Sequence, residues 1–346
     1  MNNCQLNNPQ LNNRAITNRS SNHQSPISQS PIQSPITDHQ SAMTGVLLLD
    51  KPSGPTSHDV VARMRRATGE RSIGHTGTLD PRASGLLPLV LGRATRLASL
   101  LTGSEKTYEA VVRLGQATST DDAEGEPVGA PATARPDDAA IAAVLDRFRG
   151  TFDQVPPRHS AKKVGGRKAY ELARADRPVE LAPVEVTVSA LEWLGRDGDL
   201  VRLRVSATAG FYVRALARDI GAALGCGAHL AGLRRTRSGH FDVADALPLE
   251  QAEAEARQAR EEGSGAFEAR LIAPAEALPH LPAVTLTEAG LKRVVHGNPV
   301  GPDQLEGRFV PPASGPGPVR VLGADGRLVA LAHARGGALH PVVVLG

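Results

Sequence analysis

The sequence predicts an α+β chain in which a large mixed domain precedes a small β-rich domain, and three observations support this. Strand-like and amphipathic helical segments interleave over residues 43–250. Residues 251–270 are rich in Glu, Ala and Arg, which is typical of a solvated helical linker. Residues 271–346 are rich in Pro, Gly and Val, and Ala324-Asp325-Gly326 separates two apolar runs as in a β-hairpin.

Composition excludes several classes of protein. The chain has 346 residues, of which 40% are hydrophobic and 22% charged, so it can build a packed core. Its longest apolar run, residues 86–91, contains Pro88 and is far shorter than a membrane span. The two cysteines, Cys4 and Cys226, exclude a disulfide framework and cysteine-based metal sites. We therefore expect a cytoplasmic protein with no membrane segment and no metal site.

Residues 1–42 differ from the rest of the chain. They are rich in Asn, Gln, Ser and Pro and repeat Ser-Pro-Ile three times, between residues 25 and 36. Such a segment buries too little apolar surface to offset the entropy of ordering, so we expect it to be disordered. Met43 directly precedes the first structured segment, and we expect it to be the natural start. Peptides from residues 1–42 in the native protein would refute that expectation.

The first predicted elements surround a Pro- and Gly-rich loop. Residues 46–50 are short and apolar, as in a buried strand. Residues 51–56 form the loop, and Ser57 is placed to cap a helix. The two sides of that helix carry different residues, apolar Val60, Val61 and Met64 against basic Arg63, Arg65 and Arg66.

Further elements follow in order along the large domain. The expected strands cover residues 86–91, 108–114, 184–194 and 201–208. Four helices are also expected. The first follows Gly92, the second begins at Asp137-Asp138 and ends near Phe148, the third lies within the basic stretch 162–175, and the fourth covers 213–224 before Gly225.

The Gly-rich stretch from Gly74 to Pro88 is the richest in groups that could perform chemistry. Its glycines permit positive φ or the close approach of a ligand. Pro81 keeps Asp80 out of a helix, so the Asp80 carboxylate lies on an extended or turn backbone. The spacing fits neither a phosphate-binding P-loop nor a dinucleotide fingerprint. Taken alone, the pattern leaves open an ordinary surface loop with a turn-forming Asp.

That stretch, Gly-His-Thr-Gly-Thr-Leu-Asp-Pro followed by Ala-Ser-Gly-Leu-Leu-Pro, resembles the signature of the TruB family of bacterial tRNA pseudouridine synthases. The resemblance continues without a break over about residues 44–250. Other motifs in the order of that family are Gly45 to Pro52 with Thr56-Ser57, Gly92 to Leu97, Lys106-Thr-Tyr108, Leu114-Gly-Gln116, Gln154 to Pro157, Ser160-Ala-Lys162, Tyr170 to Arg174, Tyr212-Val-Arg214 with Asp219-Ile-Gly221, and Leu233 to Thr236 with Ser238-Gly239.

The resemblance implies a fold and an activity. The fold would be a pseudouridine synthase-like mixed, largely antiparallel sheet with flanking helices, followed by a PUA-like RNA-binding domain over 271–346. The activity would be isomerisation of uridine-55 in the T-loop of tRNA to pseudouridine, with the base flipped out of its stack. No cofactor is implied, the partner is the T-arm of tRNA, and we expect a monomer without an obligatory protein partner.

Site residues follow by position in the family motifs. Asp80 is implied to be the catalytic carboxylate, which can attack the base, attack the sugar or remove a proton. Tyr108 is implied to stack on the target base and Arg214 to pair with Asp80. The other implied substrate contacts are His75, Asp122 and Tyr212. Without the resemblance, Tyr108 would equally be a core tyrosine and Arg214 a solvated helix residue, and Asp121 leaves the Asp122 assignment open.

Basic residues near these motifs are candidates for contacts with RNA phosphates. Taken singly, each is more often a solvated surface residue, but together they form basic patches. The candidates are Arg65, Arg66, Arg96, Lys162, Lys168, Arg234 and Arg235.

Three departures from the family pattern affect details of RNA contact. His159 stands where the family usually has Tyr, Thr118-Ser119-Thr120 replaces Thr-Asp-Thr, and Ala209-Gly210-Phe211 replaces Lys-Gly-Thr. Three alternatives remain at this point: a non-catalytic RNA-binding protein on the same scaffold, a glycosidase, and a subunit that depends on a guide RNA or protein partners. The stretch around Asp80 carries no second acid, which disfavours a glycosidase.

Overall fold

A computed structural model describes residues 43–133, 135–158, 163–164, 167–168, 181–307 and 317–346. The predicted tail over 1–42 and the candidate Lys162 lie outside the described residues. The helices are α1 (Ser57–Thr68), α2 (Ala98–Thr102), α3 (Asp138–Asp146), α4 (Val213–Ala223), α5 (Leu249–Glu261) and α6 (Glu288–Val294), with 3₁₀ turns at Gly92–Leu97, Val243–Asp245, Ala266–Arg270 and Pro302–Gln304.

The strands belong to one large sheet, one five-stranded sheet and two short pairs. They are β1 (Gly45–Lys51), β2 (Ile73–His75), β3 (Ser84–Leu91), β4 (Lys106–Leu114), β5 (Ala117–Thr118), β6 (Pro127–Val128), β7 (Gly150–Gln154), β8 (Lys163–Val164), β9 (Arg167–Lys168), β10 (Val184–Asp197), β11 (Leu200–Ala207), β12 (Ala228–Ser238), β13 (Phe241–Asp242), β14 (Leu247–Pro248), β15 (Ala283–Leu286), β16 (Leu305–Glu306), β17 (Val319–Leu322), β18 (Leu328–Arg335) and β19 (Ala338–Val344).

The large sheet has the order β14-β1-β3-β12-β4-β11-β10-β7, with β2 paired to β3 and β13 to β12. Its β1–β14 and β3–β12 pairs are parallel, and the other pairs are antiparallel. The predicted mixed, largely antiparallel sheet with flanking helices is therefore confirmed. Strand β4 lies near the middle, where Tyr108 faces Val205 of β11 on one side and Arg235 of β12 on the other.

Helices cover the sheet with separate apolar clusters. Helices α1 and α5 bury Val60, Met64 and Leu249 against Leu87 and Leu89 of β3. Helix α4 packs with β4, β10 and β11 through a second cluster that includes Leu216 of the helix, Val112 of β4 and Leu203 of β11. The apolar residues of the alternating pattern predicted for these strands are buried, and so is the apolar side predicted for α1.

Two details of the helices differ from the sequence prediction. The N-cap of α1 is Thr56, not Ser57, because Thr56 and Asp59 form a capping box in which each side chain accepts the other's backbone N–H. Helix α5 was expected to be a solvated linker. Its residues Ala252, Ala256 and Ala259 are instead buried against the α1 side of the core.

The last part of the chain forms the five-stranded sheet β16-β15-β17-β18-β19. The hairpin predicted around Ala324-Asp325-Gly326 joins β17 to β18, with Gly326 at φ 78°. This sheet is consistent with the predicted PUA-like fold. Leu328 and Leu331 share an apolar cluster with Val46 and Leu48 of β1, so the small sheet is packed against the large one. None of the helices in the described ranges is long and apolar enough to cross a membrane.

Candidate active site

Asp80 lies in the loop between β2 and β3, and neighbouring elements fix that loop on both sides of it. The buried Ser57 hydroxyl donates to the Leu79 carbonyl at 3.1 Å and accepts the Leu79 N–H at 2.9 Å. On the other side of Asp80 the chain makes a turn, in which the Ala83 N–H donates to the Asp80 carbonyl at 3.1 Å. Leu79 is buried, whereas the Asp80 side chain is 42% exposed. The Asp80 carboxylate is thus presented to solvent from a backbone that hydrogen bonds hold in place.

Lys51 ties the Asp80 loop to the end of β1. Its side chain is fully buried, and Nζ donates to the carbonyls of Pro52 and Pro55 at 2.8 Å and of Pro81 at 3.1 Å. Burial lowers the pKa of Lys51 to about 8, the Asp80 carboxylate raises it, and the Arg235 cation lowers it. The three carbonyls satisfy the ammonium, which fixes the residue directly after Asp80.

Arg235 fixes the other parts of the same loop, and its predicted role as a phosphate contact is wrong. Only 1% of Arg235 is exposed, and its guanidinium donates to the carbonyls of Leu86 at 2.7 Å and Gly77 at 3.1 Å. Burial lowers the pKa of Arg235, and the neighbouring Tyr108 raises it. A buried cation already committed to backbone carbonyls cannot also reach an RNA backbone.

The Asp80 carboxylate is held by a forked contact with Arg214. The separation from Arg214 Nε to Asp80 Oδ2 is 2.9 Å, and Nη2 donates to Oδ1 at 3.3 Å. Arg214 lies in the first turn of α4 and its side chain is only 7% exposed, so the pair is sheltered on one side. A two-point contact sets the orientation of the carboxylate. The structure therefore contains the pair that the family resemblance implies.

A second carboxylate reaches the same guanidinium from the loop after β5. Arg214 Nη1 donates to the Thr120 carbonyl at 3.3 Å and lies 3.8 Å from Asp122 Oδ2. The Asp122 Oδ1 atom accepts from the Thr120 hydroxyl at 2.5 Å and from the Glu124 N–H at 3.0 Å. Of the two adjacent acids, it is Asp122 that faces Arg214.

Two of the three aromatic candidates, His75 and Tyr212, lie on the segments that carry Asp80 and Arg214, and the third, Tyr108, lies on the neighbouring strand β4. Tyr108 is half-buried on β4 beside Arg235. Tyr212 is the residue before α4, and its backbone exchanges two hydrogen bonds with the Gln154 side chain, at 2.9 and 3.2 Å. His75 ends β2 and packs edge-to-face on His58 at 5.5 Å. Burial lowers the pKa of His75, as do His58 and Arg235 to a smaller extent.

The remaining basic candidates differ in how free they are. Arg65 and Arg66 are exposed on the last turn of α1, although Arg65 also donates to the Ile73 carbonyl at 2.6 Å. Arg96 is exposed and donates to the Val344 carbonyl of the small sheet. Arg234 forms a forked pair with Asp50 at 3.0 and 2.7 Å. Lys168 is in β9, where only the backbone is described.

Sequence reasoning missed the residues that fix the backbone of the site. Ser57 and Lys51 bond Leu79 and Pro81 of the Asp80 loop, and Gln154 bonds Tyr212. These partners are far away in sequence, so no local motif reveals them. One signal was available for Lys51. The chain has only six lysines among its 39 Lys and Arg residues, so a lysine in this chain indicates a position that requires lysine and not arginine. Among the described residues, no group of three or more His, Cys, Asp or Glu side chains is arranged to hold a metal ion.

Three family models together match most of the described chain and define its class. A model described as TruB family pseudouridylate synthase, N-terminal domain, matches residues 65–213. One described as tRNA pseudouridylate synthase B C-terminal domain matches 214–278, and one described as tRNA pseudouridine synthase II, C terminal, matches 301–346. A DKCLD (NUC011) domain model matches 7–61. Fold and site thus define a pseudouridine synthase.

Curated relatives narrow the class to one family. The tRNA pseudouridine synthase B of Thermobifida fusca is 44% identical over 310 residues, which is 87% of this chain and 98% of the relative. The protein of the same name from Cupriavidus metallidurans is 45% identical over 86% of this chain and 92% of the relative. The chain belongs to the TruB family.

Solved structures with the same fold include RNA–protein complexes. A structure of an H/ACA RNP bound to a substrate RNA containing 2'-deoxyuridine matches with a TM-score of 0.67 and 28% identity, covering 88% of this chain and 86% of that one. A Cbf5-Nop10-Gar1 complex matches with a TM-score of 0.68 and 29% identity, covering 88% and 85%.

Proposed function

We propose that this chain isomerises uridine to pseudouridine in tRNA, at position 55 of the T-loop. The observation that carries the proposal is the partly exposed Asp80 carboxylate, fixed in a forked contact by a buried Arg214. This pair occurs in a chain that is 44% identical to a tRNA pseudouridine synthase B over 98% of the length of that relative. Both the site and the family support an isomerase rather than a binding protein.

The reaction needs no group donor. The bond between N1 and C1′ breaks, the base turns, and C5 bonds to C1′. The proton on C5 is lost and N1 gains one, so atoms and electrons balance within the nucleotide and solvent. Asp80 is the essential carboxylate, and it attacks the base, attacks the sugar or removes a proton. In each route Arg214 orients that carboxylate through its two-point contact.

The neighbouring side chains hold the flipped base. A uridine stacked in the T-loop must leave the stack before Asp80 can reach it, and an aromatic surface in the pocket offsets part of that unstacking. Tyr108 provides a ring for stacking and a hydroxyl for proton transfer. Tyr212 lines the pocket, Asp122 fixes Arg214, and His75 helps to fill the space that the base leaves in the RNA.

Exposed arginines supply the contacts with the RNA backbone. We assign this role to Arg65, Arg66 and Arg96, whose side chains are exposed. Arg234 is included because its guanidinium, although paired with Asp50, is 40% exposed. Lys162 and Lys168 remain candidates outside the described side chains. These contacts bind phosphates irrespective of sequence, so specificity comes from the shape of the T-loop and the flipped base.

The chain acts on tRNA without a guide RNA or a protein partner, as a monomer in the cytoplasm. The H/ACA structures that share its fold are assemblies, but their identity with this chain is 28–29%, against 44–45% for the relatives named tRNA pseudouridine synthase B. A guide-dependent subunit is the alternative that this comparison disfavours. Activity of the purified chain on a bare transcript distinguishes the two.

The test is base-resolved pseudouridine mapping. Purified protein is incubated with unmodified tRNA transcripts, with and without a uridine-to-cytidine change at position 55. We expect one pseudouridine at position 55 in the first transcript and none in the second. A pseudouridine elsewhere, or no modification until a guide RNA or partner protein is added, would contradict the proposal.

A further inference from the structure

We propose that the ion pair between Asp121 and Arg218 is a positioning device for the active site, which sets Asp122 and the Thr120 carbonyl against Arg214. The proposal rests on the proposed function, because the effect it describes is on pseudouridine formation. Asp121 and Arg218 would act through their neighbours in the chain and would not touch the substrate.

The two acids and the two arginines are matched in spacing. Arg214 and Arg218 are one turn apart on α4 and point toward the same loop. Asp122 faces Arg214 Nη1 at 3.8 Å, and Asp121 Oδ2 lies 3.2 Å from Arg218 Nη1. Consecutive residues of one loop thus engage consecutive turns of one helix, so fixing the Asp121–Arg218 pair fixes the register of Asp122 against Arg214.

The backbone at Asp121 shows that this register is imposed. Asp121 has φ 63°, and it is the one non-glycine residue with positive φ in the described part of the chain. Residues with a side chain adopt this conformation rarely, Asp and Asn more often than others, and it persists where surrounding contacts hold it. Here the surroundings are the Arg218 pair and strand β12, whose Leu230 N–H donates to the Asp121 carbonyl at 3.0 Å.

The pair is sheltered, which makes it stronger than a surface contact. The Asp121 side chain is 15% exposed and that of Arg218 30%. Arg218 is itself anchored by Asp219 at 2.9 Å and by the Val155 carbonyl at 2.8 Å. Burial raises the pKa of Asp121, while Arg218 and Arg214 lower it. The carboxylate therefore lies in an unfavourable environment, which these two arginines offset in part.

The same loop offers a matched control. Glu124 pairs with Arg82 at 3.0 Å, but those side chains are 47% and 65% exposed. An exposed pair contributes little to geometry or stability. Glu124→Gln therefore removes an acid–arginine pair from the same loop without removing the sheltered one.

The experiment measures single-turnover pseudouridine formation and tRNA affinity for five enzymes: wild type, Asp121→Asn, Arg218→Gln, the double variant of these two, and the control Glu124→Gln. Asn tolerates the left-handed backbone, so Asp121→Asn removes the charge and keeps the loop conformation. We expect each single variant to be slower by about tenfold, because small displacements of reacting groups are costly. We expect tRNA affinity to stay within about twofold of wild type and the double variant to be no slower than either single one.

Three results would overturn the inference: a folded Asp121→Asn or Arg218→Gln enzyme with the wild-type rate, additive losses in the double variant, or a loss confined to tRNA affinity. A slow Glu124→Gln enzyme would also overturn it, because general loop loosening would then explain the effect. Rates are compared per folded molecule from thermal melts. If the wild type itself forms no pseudouridine, the proposed function has failed and not this inference.

Discussion

Arg214 is the residue on which the site depends, because it joins three segments that are distant in sequence. Its guanidinium contacts Asp80 from the loop before β3, and Thr120 and Asp122 from the loop after β5. A planar fork with five donors can make these contacts together. The orientation of the Asp80 carboxylate therefore depends on one side chain.

We predict that Arg214→Lys loses most of the activity while it keeps the fold. A lysine presents one compact ammonium, which cannot hold both Asp80 oxygens and also reach the Thr120 loop. We expect pseudouridine formation in single turnover to fall by about 100-fold, as for a misplaced reacting group. A rate close to that of the wild type would show that charge alone is sufficient at this position.

Lys51 gives a prediction about pH. Its pKa is about 8 in the folded protein, against an ordinary value of 10.5, so the unfolded chain binds its proton more tightly. The unfolded state therefore holds more protons between these values, and this lysine makes stability rise with pH over that window. Below about pH 8 its unfavourable contribution is complete and constant.

Urea unfolding of wild type and Lys51→Met at several pH values tests this. The free energy of unfolding of the wild type minus that of the variant should increase as pH rises from about 8 toward 10.5. Lys106, whose pKa is also lowered to about 8 by burial, is present in both proteins and cancels. A difference that stays flat or decreases over this window would contradict the assignment.

Element by element, the strands with a regular alternation or a continuous apolar run were predictable, and β12, which lies between β3 and β4, was not. Segments 86–91, 108–114 and 201–208 were predicted and match β3, β4 and β11 closely. Strand β12 was not predicted, because Arg234 and Arg235 interrupt its apolar pattern and two irregularities in register break the alternation. Charge patterning likewise could not show that Arg235 is buried, since burial depends on strands that pair across more than a hundred residues.

Gly85, at the start of β3, allows a test of the close contact between β3 and β12. It has φ 99°, and a Cβ there would lie 2.2 Å from the Arg235 carbonyl of the adjacent strand. We predict that Gly85→Ala lowers the free energy of unfolding by about 3 kcal/mol or more, from backbone strain plus the steric clash. The clash also displaces the Asp80 loop, so activity should fall.

Gly54→Ala is the matched control. Gly54 has φ 119°, but a Cβ there would meet nothing within 4 Å. Only the strain remains, so we expect a loss of about 1–2 kcal/mol. Equal losses in thermal and urea unfolding for the two variants would show that β12 does not press on the start of β3.

At the scale of the whole molecule, the two sheets share a core. Leu328 and Leu331 pack with Val46 and Leu48, and Arg93 donates to the Leu345 carbonyl at 2.9 Å. The β-rich character of the last segment was predictable from its composition and hairpin. The packing of this segment against the large sheet was not predictable, because the sequence does not distinguish apolar residues at such a contact from other core residues. The boundaries proposed for the domains stay predictions.

Charge distribution predicts how tRNA binding depends on salt. Net charge is only +3, yet Arg65, Arg66 and Arg96 are exposed on the surface. We predict that tRNA affinity falls steeply as salt rises, and that the double variant Arg65→Gln/Arg66→Gln weakens binding and reduces the log–log slope by about 2.

Arg149→Gln is the control for that measurement, since Arg149 is half exposed, pairs with Asp146 and is not among the proposed contacts. It should leave the slope unchanged. A double variant with the wild-type slope would remove Arg65 and Arg66 from the RNA-binding surface.

The most direct test of the account is Asp80→Asn in the purified protein. Asn keeps the shape of the side chain and removes the carboxylate that Arg214 holds. The account predicts that the variant folds, binds tRNA with affinity similar to the wild type, and forms no pseudouridine above background in single turnover. Formation of pseudouridine by Asp80→Asn at the rate of the wild type would contradict it.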